Sequence, residues 1–260
     1  MEKVVRVVVK ENLWLFGALI VGGLVGVGLG IRAFRKWIAG GVCRSQAKLD
    51  GKTVVITGAN SGIGLETAVD LAKRNARVIL ACRSMEKGEK AAIHVKERSG
   101  NNNVVFVELD LSCLKSVRAF AAKIFEDEPR IDILINNAGV MMPPKRSLTV
   151  DGFEMQFGVN HLGHFLLTNL LLHRLKEAPS ARIVNLSSSA QRFGKIDFDN
   201  LNSERSYSPM AAYCASKLAN VIFTRSLAKH LEGTRVTTSA VDPGAIKTGL
   251  QQHLGFFMVR

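Results

Sequence analysis

From Thr53 onward, short apolar runs rich in β-branched residues alternate with longer stretches in which apolar residues recur every three or four positions. The first pattern suits extended chain buried on both faces, and the second suits an amphipathic helix. Residues 53–57, 77–82, 104–109, 131–136, 182–187 and 235–241 are therefore predicted strands. Helices are predicted over 63–74, 85–97, 114–127, 152–174 and 209–231. Strict alternation of the two, with strands apolar almost throughout, implies an α/β fold, a doubly wound parallel sheet with helices on both faces. Residues 49–260 are long enough to bury one core, so one folded domain is expected there, without internal repeats.

The N-terminal region breaks this pattern. Residues 13–31 form a run of nineteen without a charge or a polar face. As a helix the run is about 28 Å long, close to the roughly 30 Å hydrocarbon core of a bilayer. It is expected to cross a membrane once, dividing the chain into a basic N-terminal segment (1–12), a transmembrane anchor (13–31), a basic linker (32–48) and the domain (49–260). A cleaved signal peptide is the rival reading, but its apolar region is normally roughly 7–15 residues long and ends in small residues before the cut. A buried soluble helix fits worse, because the six glycines of the run weaken a helix in water. Arg32, Arg35, Lys36, Arg44 and Lys48 follow the run while Lys3, Arg6 and Lys10 precede it, which leans towards a domain on the cytosolic side. Ala18, Gly22, Gly26 and Gly30 recur every fourth position, a stripe that would let two such helices pack as a homodimer, although chance spacing in a glycine-rich run accounts for it equally.

Composition changes the picture little. The hydrophobic fraction of 47% owes its excess largely to the apolar run, and the net charge of +13 is shared between the first fifty residues and the rest. After position 50 the basic residues are scattered among acids, with no block and no aromatic interleaving. That argues against nucleic acid and fits attraction to anionic lipid headgroups or an ordinary solvated surface. Cys43, Cys82, Cys113 and Cys214 have neither metal-ligand spacing nor the density of a disulfide framework, so a reducing compartment is expected and no metal.

Candidate chemistry begins where the first strand runs into Thr57-Gly58-Ala59-Asn60-Ser61-Gly62-Ile63-Gly64 and a helix starts within it. Glycines permit a tight turn and close approach to a pyrophosphate, while the helix N-terminus offers free N–H groups and a favourable dipole. The position between the first strand and first helix of a βαβ unit marks a Rossmann-like site. About twenty residues on, a site for NAD places an acid on the adenosine ribose. Here Ala81-Cys82-Arg83-Ser84 offers a guanidinium instead, which favours the extra phosphate of NADP, unless Arg83 is only solvated. In the last predicted helix Tyr213 and Lys217 stand at i, i+4 on one face, where an ammonium would favour phenolate. Upstream, Ser187, Ser188 and Ser189 end a strand at the carboxyl edge of the sheet, where such folds bind ligands.

Taken together, these residues resemble the short-chain dehydrogenase/reductase family from about Leu49 to the end of the chain. The resemblance includes the glycine turn, Asp110-Leu111, Asn136-Asn137-Ala138-Gly139, Asn160, the serine strand, the Tyr213/Lys217 pair and Pro243-Gly244. It implies that Tyr213 is the general acid or base and that Lys217 lowers its pKa while holding the nicotinamide ribose. Ser188, twenty-five residues before Tyr213, would bind the substrate oxygen, and Asn160 would hold a water linking Lys217 to solvent. Gly58, Asn60, Ser61, Gly62, Ile63, Gly64 and Arg83 would bind the pyrophosphate and adenosine side of NADP(H). Asp110 and Leu111 would lie at the adenine, Asn137, Ala138 and Gly139 would line the cofactor, and Pro243, Gly244 and Thr248 would meet its nicotinamide end.

The stretch from Asp151 to Asn169, with Ile79 to Arg83, is similar to the retinol dehydrogenase branch, whose members are membrane-bound and act on lipophilic alcohols and aldehydes such as retinol and retinal. A lipophilic substrate and an endoplasmic reticulum membrane follow as expectations, with the mitochondrial membrane as the alternative. His161, His164 and His173 lack a carboxylate or cysteine set and read as helix residues near the site. Asp242 stands where the branch commonly has His, with consequences for hydrogen bonding near the nicotinamide. The chain ends sixteen residues after Gly244, whereas family members continue into a substrate-covering segment and a seventh strand. A pocket open on one side and a sixth strand with a free edge are therefore expected. Beside the enzyme stand two other readings: an NADP-binding form without turnover, and a poorly folded fragment.

Overall fold

A computed structural model describes residues 26–33, 43–244 and 246. The chain divides into two units, Met1–Gln46 and Ala47–Arg260. In the first, residues 26–33 are helical and exposed, and include Gly26 and Gly30 of the small-residue stripe. The remainder of the expected anchor lies outside the described residues. Among the described residues no helix is long and apolar enough to cross a membrane.

The second unit carries a six-stranded parallel sheet of β1 (Thr53–Thr57), β2 (Arg77–Cys82), β3 (Val104–Glu108), β4 (Ile133–Asn136), β5 (Ala181–Leu186) and β6 (Val236–Val241). Its order is β3-β2-β1-β4-β5-β6, so the direction of winding reverses between β1 and β4. Alternate residues of each strand feed two cores. Val54, Ile56, Val78 and Leu80 pack with Ala68, Val69 and Ala72 of α1 (Gly62–Lys73) and Ala91 and Val95 of α2 (Met85–Ser99). Val55, Ile79, Leu134 and Ile183 point the other way, towards α3 (Leu114–Asp127), α4 (Gly163–Lys176) and α5 (Pro209–His230). Burial on both faces is why these strands are apolar throughout.

Local chemistry sets the helix ends. Ser84 accepts from the Lys87 N–H to start α2, and Gly100 closes it in the left-handed conformation. Pro209 opens α5 behind Ser208, whose hydroxyl accepts from Ala211. Gly88 of α2 faces the Phe106 ring of β3 so closely that an added Cβ would overlap it. Gly88→Ala is expected to lower the unfolding free energy by about 1–3 kcal/mol, read as a lower denaturant midpoint at constant slope.

Two expectations shift. Strand β4 begins at Ile133, two residues later than expected; just before it the Asp132 carboxylate holds Lys52 at 2.8 Å and the Thr53 N–H at 2.9 Å. The single helix expected over 152–174 is instead composite: Met155–Phe157, a π turn Gly158–Leu162, then α4. Glu154 caps its start, accepting from the Gln156 and Phe157 N–H groups at 3.0 and 2.8 Å. The wider turn swings Asn160 out of helical register towards β4 and α5. Among the described residues β6 pairs with β5 alone, and Ser239, Ala240 and Val241 at its end are exposed.

Candidate active site

At the carboxyl edge of the sheet, across the reversal between β1 and β4, lies an open cleft of about 740 Å³. Open α/β sheets bind ligands at this position, because the loops after neighbouring strands diverge there. One end is formed by Gly58, Asn60, Ser61, Gly62 and Ile63 after β1, Arg83 after β2, and Asp110 and Leu111 after β3. Asn137, Ala138 and Gly139 form the middle. Ser188, Tyr213, Lys217, Pro243 and Gly244 form the other end.

The glycine turn fits a dinucleotide on two counts. Gly58 has φ +63°, and a Cβ there would come within 2.8 Å of the Ala138 backbone. Gly62, also at positive φ, opens α1, whose N-cap Ser61 makes no side-chain capping bond. The first N–H groups of that helix therefore face the cleft uncapped, ready for an anion. Gly64 does not line the cleft; its absent side chain makes room for Asn137 and the Gly58 carbonyl. Arg83 is exposed at the tip of β2, and Asp110 uses one carboxylate oxygen to hold the Ser112 N–H and hydroxyl at 2.9 and 2.7 Å. Thr248 lies outside the described residues.

At the far end Tyr213 is 6% exposed and lies beside Ser188, whose Oγ accepts the Ala190 N–H at 3.3 Å. The serines separate: Ser187 is spent on the Lys217 carbonyl at 2.9 Å, while Ser188 lines the cleft beside Tyr213. Lys217 is 4% exposed, and its Nζ donates to the Leu186 carbonyl at 3.1 Å and sits 5.7 Å from the Tyr213 ring centre. Burial pushes Lys217 down to about 8. The expected lowering of the Tyr213 pKa by Lys217 is not what the geometry gives. Burial raises it, Cys214 and Asp242 add to the rise, and Ser188 opposes them. Lys217 is turned to a carbonyl, and desolvation of the phenolate outweighs a cation at that separation. Asp242, besides raising Tyr213, accepts the Gly244 N–H at 3.1 Å.

Asn160 is fully buried and does not line the cleft. Its Oδ1 accepts the Val140 N–H at 2.8 Å, and its Nδ2 donates to the Val140 carbonyl and to Ser216 Oγ, both at 3.0 Å. Both amide hydrogens are thus spent on protein groups, and the side chain holds the segment after Gly139 against α5. Asn220 was not singled out by the sequence, and His164 only as a helix residue near the site. Asn220 donates to the same Leu186 carbonyl as Lys217, at 3.2 Å, and accepts from His161 Nδ1 at 3.2 Å. Among the described residues no group of acids, histidines and cysteines could hold a metal.

Fold and cleft together define the dinucleotide-binding class of doubly wound proteins. Comparison with known proteins narrows it. The sequence model of the family described as short chain dehydrogenase matches residues 52–256. Retinol dehydrogenase 12 of Homo sapiens is 58% identical over 221 residues, covering 85% of this chain and 70% of that protein. Retinol dehydrogenase 13 of Homo sapiens is 56% identical over 222 residues, covering 85% of this chain and 67% of that protein. A solved short chain dehydrogenase from Shigella flexneri, complexed with NADP, superposes with a TM-score of 0.66 at 27% identity, covering 80% of this chain and 83% of its own. The chain belongs to the short-chain dehydrogenase family and, within it, to the retinol dehydrogenase branch. It is an oxidoreductase of the kind that acts on CH–OH groups through a nicotinamide cofactor.

Proposed function

We propose that the protein is an NADP(H)-dependent oxidoreductase that interconverts a lipophilic, retinol- or retinal-like alcohol and aldehyde, with Tyr213 as general acid and base. The observation that carries this reading is that Ser188, Tyr213 and Lys217 line one cleft together with an apolar wall. That wall includes Met141, Met142, Met155 and Met210, polarizable and adaptable side chains suited to a flexible hydrocarbon. The names of the relatives, retinol dehydrogenases, support a retinoid-like substrate.

A nicotinamide held beside Tyr213, Lys217, Pro243 and Gly244 would supply the hydride in the reductive direction. Ser188 holds the carbonyl oxygen, Tyr213 gives its phenolic proton to that oxygen, and Lys217 balances the phenolate that remains. Oxidation runs the same proton path backwards. Arg83, exposed at the adenosine end with no carboxylate among the residues that end β2, supports NADP(H) over NAD(H). The uncharged run 13–31 and its basic flanks support a single-pass anchor with the domain 49–260 on the cytosolic face of the endoplasmic reticulum.

The test is NADPH oxidation by the full chain, in lipid or mild detergent, with all-trans-retinal and with NADH in comparison. Turnover with NADPH and little with NADH is expected. Arg83→Gln should raise the KM for NADPH about tenfold or more, the worth of one charged hydrogen bond, and leave NADH unchanged. Binding of NADPH without turnover would favour the cofactor-binding form instead.

A further inference from the structure

His164 is 3% exposed, on the first turn of α4, and takes no part in the proposed proton path. Its Nδ1 lies 3.0 Å from the Asn160 carbonyl and its Nε2 lies 2.8 Å from Thr57 Oγ1. A carbonyl only accepts, so Nδ1 carries the ring hydrogen. Thr57 Oγ1 already accepts the N–H groups of Asn137 at 2.9 Å and Ala138 at 3.0 Å, which fills both its lone pairs. Its own hydrogen must therefore be donated. His164 Nε2 at 2.8 Å is the nearer acceptor; the Ile135 carbonyl is at 3.4 Å. The hydrogen-bond count alone fixes a neutral ring with Nε2 unprotonated, and full burial, which pushes His164 down to about 4, agrees with it.

We propose that His164 is a positioning residue for the cofactor cleft, in a hydrogen-bond chain in which the Asn137 and Ala138 amides donate to Thr57, Thr57 donates to His164, and His164 donates to the π-turn carbonyl of Asn160. The chain joins three elements, β1, the segment after β4, and α4, at the middle of the cleft. Thr57 is oriented by the imidazole so that both its lone pairs face the two amides. Without the acceptor at Nε2 the hydroxyl is left with only the longer contact to the Ile135 carbonyl at 3.4 Å, and the Asn137–Gly139 wall is held less firmly. This inference rests on reading the cleft as a dinucleotide site.

The experiment measures amide hydrogen exchange at Asn137 and Ala138 in the full chain, beside NADPH binding and the unfolding midpoint. His164→Asn, too short to reach Thr57, should speed exchange at those two amides about tenfold and weaken NADPH binding by a similar factor, the worth of one buried hydrogen bond. His164→Gln, whose amide oxygen reaches Thr57, should stay near the wild type. Thr57→Val, which removes the acceptor itself, should have at least the His164→Asn effect, and adding His164→Asn to it should change nothing further. Folded His164→Asn protein with unchanged exchange at both amides would overturn the proposal, as would independent addition of the two effects. Absence of NADPH binding in the wild type would instead overturn the dinucleotide reading, and the exchange data would still decide the clamp.

Discussion

Tyr213→Phe is expected to reduce turnover roughly 10²- to 10⁴-fold, the usual contribution of a positioned proton donor, with the dissociation constant for NADPH nearly unchanged. Only the phenolic oxygen is removed; the ring stays buried against the same neighbours. Since burial raises the Tyr213 pKa, the free protein carries the phenol protonated at neutral pH, poised to donate. Aldehyde reduction should therefore be insensitive to pH through the neutral range. Alcohol oxidation needs the phenolate and should rise with pH across the same range. Asp242, one of the causes that raise the phenol, provides the control: Asp242→Asn should move the oxidation profile to lower pH. An oxidation profile flat with pH in both proteins would remove Tyr213 from the proton step.

Lys217→Met should produce the opposite combination, a large loss of function with a gain of stability. The buried ammonium costs free energy, which is why Lys217 falls to about 8 from the ordinary 10.5. Between those two values the unfolded chain holds a proton that the folded chain has released, so wild-type stability rises with pH across that window. At pH 7 the full cost is present, and removing it should stabilise the variant by about 2–3 kcal/mol after allowing for the lost bond to Leu186. Turnover should fall roughly 10²-fold or more, because nothing then balances the phenolate. Urea titrations at pH 7 and pH 10 make the check: the advantage of the variant should be large at the first and nearly gone at the second. A destabilised variant at pH 7 would mean that the ammonium is well solvated in the cleft.

The pairing of these two residues was legible in the sequence because an i, i+4 spacing on a helix fixes a shared face whatever the helix packs against. The sense of the electrostatics was not. Whether the cation lowers the phenol depends on where Nζ points, and the Leu186 carbonyl that draws it comes from another element, 31 residues away in sequence. The same holds for the serines. Three in a row at a strand end look alike as letters, and only the packing of α5 against β5 sends Ser187 to a helix carbonyl and leaves Ser188 in the cleft beside Tyr213.

What the sequence by itself determined is whatever repeats along the chain: strands buried on both faces, helices with one apolar face, a glycine turn at a strand end, and a residue pair one helical turn apart. Those are local consequences of side-chain size, polarity and backbone freedom. What only the tertiary structure decided are the contacts between segments far apart in sequence, set by strand order and by one π turn. They spend the Asn160 amide on Val140 and Ser216. They also bury His164 against Thr57, 107 residues away, where the count of lone pairs and hydrogens leaves one tautomer. No period or motif carries that information, because a hydrogen-bond chain closes only when three elements have already met.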